Sequence, residues 1–160
     1  LKGDYSKALH FGIAFANAGQ NTDTGAKVIH IGKNTSSEVV SKSLSKNGWI
    51  SVYRGLLDIK KSATGAVAKI DCDGLLLDSL SRSDTIPDIR VATDDALVAH
   101  EASVGKINED VLFYLQSHGI PEDEAKTLIV RGFVSPLMKE LPLEYAAEMN
   151  ILIGMEMEGL

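Results

Sequence analysis

The sequence predicts a mainly β fold that is followed by a small helical domain. Turn-forming segments such as NTDTG, GKNTSS, SATG and DCDG recur through the first hundred residues at intervals of about 8 to 12 residues. Short runs rich in β-branched residues lie between them, as expected for strands. Beyond residue 105 the apolar residues recur at helical spacing instead. We therefore place a β core at residues 1–105 and a helical domain at residues 106–160.

Three runs show the strand pattern most clearly. KVIHIG at residues 27–32 and EVVSKSL at residues 38–44 are short and β-branched, and AVAKIDC at residues 66–72 alternates. One face of the last run carries Ala66, Ala68, Ile70 and Cys72. The spacing of the runs fits a sandwich, a barrel or a β-solenoid. The sequence has no residue-exact repeat, so spacing alone leaves the choice between these folds open.

Start and stop signals define three helices in the last third of the chain. Asn108 fits an N-cap, two acidic residues follow it in the first turn, and Gly119 marks the end of this helix. A second helix is predicted from Pro121 to Pro136, because apolar residues recur at helical spacing between the two prolines. Pro142 opens a third helix, which carries an apolar face.

Length and composition indicate a chain that folds around a substantial core. It has 160 residues, of which 44% are hydrophobic. No apolar run approaches the roughly 20 residues that span a bilayer, and the first residues lack the order of a signal peptide. We therefore expect a cytoplasmic protein. Because the sequence starts at Leu1 rather than at Met, we also expect that it belongs to a longer polypeptide.

The charge is concentrated at one end of the chain. Residues 1–100 have a net charge of +1, whereas residues 101–160 have a net charge of −7. Phosphate contacts need clustered Lys and Arg, so this distribution argues against a nucleic-acid partner. The acidic region is either a solvated helical surface or a docking face for a basic protein.

Three residues are candidates for chemistry. Cys72 is the single cysteine, which excludes an internal disulfide and a metal cage built only from cysteines of this chain. Its thiol is either a nucleophile and soft metal ligand or a small buried hydrophobe. His100 and Glu101 stand where the strand pattern gives way to the helical one, and a buried carboxylate needs a proton, a cation or a metal. The standard catalytic motifs are missing, so we do not expect an enzyme.

Several longer motifs resemble a known family. The runs DTGAKVIHIGKNTSSEVVSKSLSKNG, CDGLLLDSLSRSDTIPDI, HEASVGKINEDVLFYLQSHGIPEDEAKTLIVRGFV and ELPLEYAAEMN are similar, in this order, to the C-terminal core of the SufB/SufD family. This family provides scaffold proteins of the SUF machinery for iron-sulfur cluster assembly. The resemblance covers about residues 20 to 157.

The resemblance implies both a fold and partners. Family members form a right-handed parallel β-helix followed by a C-terminal helical domain, so the solenoid is expected over the other β folds. Residues 1–105 then form the C-terminal part of a longer β-helix. The helical domain at residues 106–160 is expected to bind a SufC-like ABC-type ATPase. A second SufB/SufD-type chain, or a second copy of this chain, is expected to complete a dimer.

The resemblance also implies site residues. The SufB branch carries a Cys in a motif similar to CDGLL and a Glu in the HEA motif, which correspond here to Cys72 and Glu101. The His that the SufD branch supplies to a joint site corresponds to His100. These three residues are therefore the expected ligands of a transient iron-sulfur cluster, and the pair of Cys72 and Glu101 favours the SufB branch.

Two other functions remain as alternatives. In a SufD-like role the chain is a structural partner in the same complex, and Cys72 is an inert core residue. The second alternative is a β-solenoid enzyme, such as a polysaccharide lyase or an acyltransferase. The sequence shows no paired carboxylates or substrate cleft that would favour such an enzyme.

Overall fold

The computed structural model describes residues 1–17 and 19–157 as seven strands followed by three helices. The strands are β1 (Lys7–Ala16), β2 (Thr22–His30), β3 (Ser36–Ser45), β4 (Ile50–Ile59), β5 (Ala66–Leu76), β6 (Arg82–Val91) and β7 (Ala96–Lys106). The helices are α1 (Glu109–Ser117), α2 (Glu122–Met138) and α3 (Leu143–Met157).

The strands form two parallel sheets that the chain visits in turn. The first sheet has the order β1-β3-β5-β7, and the second sheet has the order β2-β4-β6. Each strand therefore pairs with the strand two positions along the chain, which is the topology of a β-solenoid. This arrangement confirms the parallel β-helix that the family resemblance implies, and it excludes the sandwich and the barrel.

The register shows how long one coil is. Lys7 lies opposite Ser36 on the first sheet, and Ile50 lies opposite Arg82 on the second sheet. One coil therefore takes about 30 residues, a length typical of solenoid repeats. The described residues make about three such coils.

Every second side chain along a strand points inward, and these side chains fill the space between the two sheets. The buried residues there form one apolar cluster: Val39, Tyr53, Leu57, Ile59, Ala63, Ala66, Ala68, Ile70 and Cys72. Serine hydroxyls occupy the same interior further along the strands, where Ser45 donates to Ser51 across the sheets at 3.0 Å. Ser43 and Ser83 also lie 2.8 Å apart in this interior. Because these polar groups satisfy one another, they are tolerated inside the coil.

The three helices pack on the outer face of the first sheet near the carboxyl ends of its strands. Leu44 of β3 and Leu75 of β5 alternate with interior residues, so they point outward, and they are buried in a cluster with helical residues. The helical members of this cluster are Leu112, Ala125, Val130, Val134, Ile153 and Met157. Lys46 strengthens the same contact, since its buried side chain donates to the backbone carbonyl of Glu156.

The helix boundaries agree with the sequence signals except at one proline. The Asn108 side chain accepts hydrogen bonds from the backbone N–H groups of Asp110 and Val111, as an N-cap does. Helix α2 was expected to stop at Pro136, but it continues to Met138. Pro136 lies in the last turn, where its missing N–H group removes only one backbone hydrogen bond.

Strand β7 lies at the open end of the solenoid. It is the last strand of the first sheet, and within the described residues no strand of the second sheet follows it. Most of its residues are therefore exposed, on both of its faces. Among the helices that the structure describes, none combines the length and the apolar character needed to cross a membrane.

Candidate functional site

Cys72 lies on β5 and points into the coil. It is only 3% exposed and belongs to the apolar cluster between the sheets. Its register partners are Ser41 on β3 and Ala102 on β7. Small side chains on both sides let the thiol lie in the interior without strain. The alternation of AVAKIDC predicts this inward position, since Ala68 and Ile70 share the same face.

The environment of Cys72 keeps its thiol protonated at neutral pH. Burial, followed by the negative charges of Asp73 and Asp71, raises the pKa of Cys72 to about 11. A thiolate is the form that attacks an electrophile or binds a metal. In this conformation Cys72 therefore needs either an incoming metal that displaces the proton or a movement that exposes it.

His100 and Glu101 lie on β7, the strand beside Cys72. His100 is opposite Ile70 and Glu101 is opposite Asp71 in the register. Because side chains alternate along a strand, His100 shares the inner face with Cys72, whereas Glu101 points to the outer face. The structure therefore places the three residues on neighbouring strands but not on one face. Within the described residues, no three His, Cys, Asp or Glu side chains come together closely enough to hold a metal ion.

Glu101 borders an acidic groove on the outer face of the first sheet. The groove has a volume of about 380 Å³, and Pro136 of α2 and Glu140 just after this helix close one side of it. Its acidic lining residues are Glu38, Asp71, Asp73, Glu101 and Glu140. Lys69 neutralises part of this charge, because its Nζ atom lies 2.5 Å from Oδ2 of Asp71. The other oxygen of Asp71 is buried and has no hydrogen-bond partner within the described residues.

A row of polar contacts lies next to this groove. The Nζ atom of Lys42 on β3 is 2.6 Å from Oδ2 of Asp73 on β5, and Ser103 on β7 donates to Oδ1 of Asp73 at 2.5 Å. Burial alone would raise the pKa of Asp73, but the hydrogen bonds from Lys42 and Ser103 and the positive charge of Lys42 together outweigh burial and lower it. The Lys42 ammonium also lies 4.6 Å from the centre of the Phe133 ring on α2.

Sequence reasoning did not identify this row. Its members are separated by about 30 residues in the chain, and they meet only because consecutive coils stack in register. Asp73 is next to Cys72 in the sequence, but nothing in the local pattern marks Lys42 or Ser103. Their contact follows from strand pairing, which the sequence alone leaves open.

Comparison with known proteins gives a consistent result. The domain described as "SUF system FeS cluster assembly, SufBD core domain" matches residues 1–133. Over 159 residues, the chain is 50% identical to the iron-sulfur cluster assembly protein SufB of Bacillus subtilis. It is 53% identical, also over 159 residues, to an iron-sulfur cluster assembly SufBD family protein of Staphylococcus epidermidis.

These similarities cover nearly all of the chain but a minor part of each relative. The alignments include 99% of this chain and 34% of the Bacillus and Staphylococcus proteins. A SufBD family protein of Mycobacterium leprae is 49% identical over 159 residues, which is 18% of that protein.

Proposed function

The chain belongs to the SufB/SufD family of the SUF system for iron-sulfur cluster assembly, and we propose on this premise that it is the part of a scaffold on which a cluster is built. One observation carries the proposal. Cys72 of β5 and His100 of β7 share the inner face of adjacent strands, and Glu101 follows His100 on the outer face of β7, the strand at the open end of the β-helix. The cluster is the cargo of this scaffold rather than a resident cofactor, and the chain acts without a catalytic motif of its own.

The ligand chemistry suits a transient cluster. A Cys72 thiolate is a soft ligand for iron, and the imidazole of His100 and the carboxylate of Glu101 are harder ligands that bind iron more weakly in the presence of sulfide. A full set of cysteines would hold a cluster for storage or electron transfer. A site with one cysteine leaves iron positions open, so the finished cluster can be passed on.

The remaining ligands are proposed to come from a second chain. Within the described residues β7 pairs with β5 on one edge and with no strand on the other, and such an edge is a template for pairing with another strand. A second SufB/SufD-type chain, or a second copy of this chain, would cover β7. The inner face of β7, with His100, would then lie in the interface between the two chains.

The helical domain is proposed to bind a SufC-like ABC-type ATPase. Several large apolar residues of the helices are exposed, among them Phe113, Leu143, Tyr145 and Ile151. The first turns of all three helices are acidic. This combination fits a protein partner with an apolar contact surface and basic residues around it. Nucleotide-driven movement of this partner would then open the buried Cys72 to iron and sulfide.

One observation favours the alternative SufD-like role. The pKa of Cys72 is raised to about 11 by burial, as expected for an inert core thiol. In that role the chain completes the complex, and the cluster is built on the partner chain.

Anaerobic reconstitution of the whole complex with iron and sulfide separates the two roles. Under the scaffold proposal, Cys72→Ala and Glu101→Gln each abolish the visible chromophore of the cluster while the complex stays assembled. Asp23→Asn, an exposed carboxylate on β2 of the second sheet, is the matched control and leaves the chromophore unchanged. Unaltered chromophore yield in both site variants contradicts the scaffold proposal and supports the structural role.

The ATPase contact has its own test. Replacing Leu143 and Tyr145, which are 82% and 62% exposed on α3, with Asp is expected to weaken ATPase binding by at least about tenfold. Leu80→Asp, at an equally exposed turn of the β-helix, is the control. Point variants are preferable to deletion of residues 121–160, because deletion would uncover Leu44 and Leu75. Wild-type affinity in the α3 variants would place the contact elsewhere.

A further inference from the structure

Lys42 joins the β-helix to the helical domain at the edge of the candidate site. Its side chain is 14% exposed and lies on the outer face of β3, between Asp73 of β5 and the Phe133 ring of α2. The ammonium therefore has an anion on one side and an aromatic face on the other. Both interactions gain strength when the cation is largely removed from water.

The contacts continue from Asp73 to the last strand. One oxygen of Asp73 binds Lys42, and the other accepts the hydroxyl of Ser103 on β7. Asp73 follows Cys72 directly in the chain, and Ser103 stands two residues after Glu101. An unbroken series of contacts thus runs from α2 through β3 and β5 to β7. It ends beside the residues proposed to hold the cluster.

We propose that Lys42 is a positioning residue that couples helix α2 to the two strands carrying Cys72 and Glu101. A displacement of α2 moves the Phe133 ring, the ring moves the ammonium, and the ammonium pulls on the Asp73 carboxylate, which accepts a hydrogen bond from Ser103 of β7. The mechanical coupling is inferred only from the contacts of Lys42 with Phe133 and Asp73 and of Asp73 with Ser103. Its use in cluster assembly rests on the proposed function, in which an ATPase moves the helices.

Other lysines of the same region do not make this connection. The partner of Lys69 is Asp71 of its own strand, and the side chain of Lys69 is half exposed, so this pair does not link separate elements. Lys46 reaches the carbonyl of Glu156 near the end of α3, but it lies beyond the end of β3. Among the salt bridges that join two strands of the described residues, Lys42–Asp73 is the one whose cation also lies over an aromatic ring of a helix.

The first experiment needs no ATPase. Hydrogen exchange of residues 96–106 is measured in the full-length protein carrying Phe133→Leu, Lys42→Met, or both. Phe133→Leu is expected to speed exchange in β7 by about fivefold, the lower end of typical coupling between sites. Lys42→Met is expected to have a similar effect. Because both changes break the same series of contacts, the double variant should match the single variants.

Two matched variants distinguish coupling from a general loss of stability. Lys42→Arg keeps the positive charge and stacks well on an aromatic ring, so exchange in β7 should stay at the wild-type rate. Lys60→Met removes a lysine that follows β4 of the second sheet and makes an ion pair of the same length, 2.6 Å, with Asp58; it should leave hydrogen exchange in β7 at the wild-type rate. The proposal is overturned if the two single effects on the exchange rate multiply in the double variant. It is also overturned if Phe133→Leu leaves the exchange rate of β7 at the wild-type value.

The second experiment uses the complex with its ATPase. The rate at which Cys72 is alkylated is compared with and without bound ATP, and the ratio of the two rates is the readout. Lys42→Met should bind the ATPase normally, but its ratio should fall to about one, because ATP no longer changes the alkylation rate. Lys42→Arg should keep the wild-type ratio. If Lys42→Met keeps the wild-type ratio of alkylation rates, Lys42 does not couple α2 to the strands. If the wild-type complex itself shows no ATP response, the ATPase part of the proposed function fails, and the exchange experiment alone decides the coupling.

Discussion

At the scale of single residues, the protonation state of Cys72 controls what the site can do. The thiol is surrounded by the apolar cluster between the sheets, and two aspartates follow and precede it in the chain. Both the burial and these charges favour the neutral form. A neutral thiol resists oxidation and alkylation, so its burial protects Cys72 in this conformation.

This environment predicts the pH dependence of Cys72 reactivity. In the folded protein the alkylation rate of Cys72 should rise with a midpoint near its pKa of about 11, instead of its ordinary value of 9.0. Unfolding in urea should return the midpoint to the ordinary value. Because the folded pKa is raised, the unfolded state loses its proton first as pH rises above 9.0, and the free energy of unfolding falls there. A folded-state midpoint at or below 9.0 would show that the thiol is solvated.

The sequence predicts on which side of the sheet each site residue lies, but it does not predict which residues of neighbouring coils contact it. Alternation alone puts Cys72 with Ala68 and Ile70, and it separates His100 from Glu101. The contact of Lys42 with Asp73 depends on the register between coils. Coils of about 30 residues with turns of unequal length leave no local signal for that register.

At the scale of elements, the helical domain is anchored by a few local signals. The Asn108 cap accepts two backbone N–H groups at 2.9 Å and 3.2 Å and sets the direction of α1. Signals of this kind lie within one turn of the chain, so the sequence predicts them well. The continuation of α2 through Pro136 was missed, because the packing of Val130 and Val134 on the β-helix holds the last turn in place.

The cap contributes measurably to stability. Asn108→Ala is expected to lower the free energy of unfolding by about 1 kcal/mol in urea titrations, since two backbone N–H groups lose their acceptor. Asn150→Ala, at an exposed position inside α3, is the control and should change stability by less than about 0.5 kcal/mol. Equal effects of the two substitutions would show that α1 does not depend on its cap.

At the scale of the whole molecule, the β-helix has an end that the described residues leave uncovered. Solenoids need a cap or a partner at their ends, because the last coil exposes apolar residues that earlier coils bury. Val98 and Val104 of β7 are 36% and 48% exposed, although their register partners on β5, Ala68 and Gly74, are buried. The sequence left the solenoid undecided by spacing alone, so this end was recognisable only through the family resemblance and then the structure.

The uncovered end predicts self-association or pairing. In the full-length protein, Val98→Lys should place a charge in the proposed interface and shift sedimentation from dimer toward monomer, with affinity reduced by about tenfold or more. Val67→Lys, on the outer face of β5 and 46% exposed, is the control. A Val98→Lys protein that pairs as tightly as wild type would show that the second chain binds elsewhere.

If Cys72 holds the growing iron-sulfur cluster, then the iron and acid-labile sulfide content of the complex must depend on this residue. The complex is purified anaerobically from cells that produce wild-type, Cys72→Ala or Val39→Ala protein. Val39→Ala is the control, because it removes buried volume from the apolar cluster between the sheets that also contains Cys72. Each variant should lose about 1 to 2 kcal/mol of stability. The Cys72→Ala complex should assemble normally but carry no iron or sulfide, whereas the Val39→Ala complex should carry the wild-type amounts. Wild-type iron and sulfide in the assembled Cys72→Ala complex would contradict this role of Cys72.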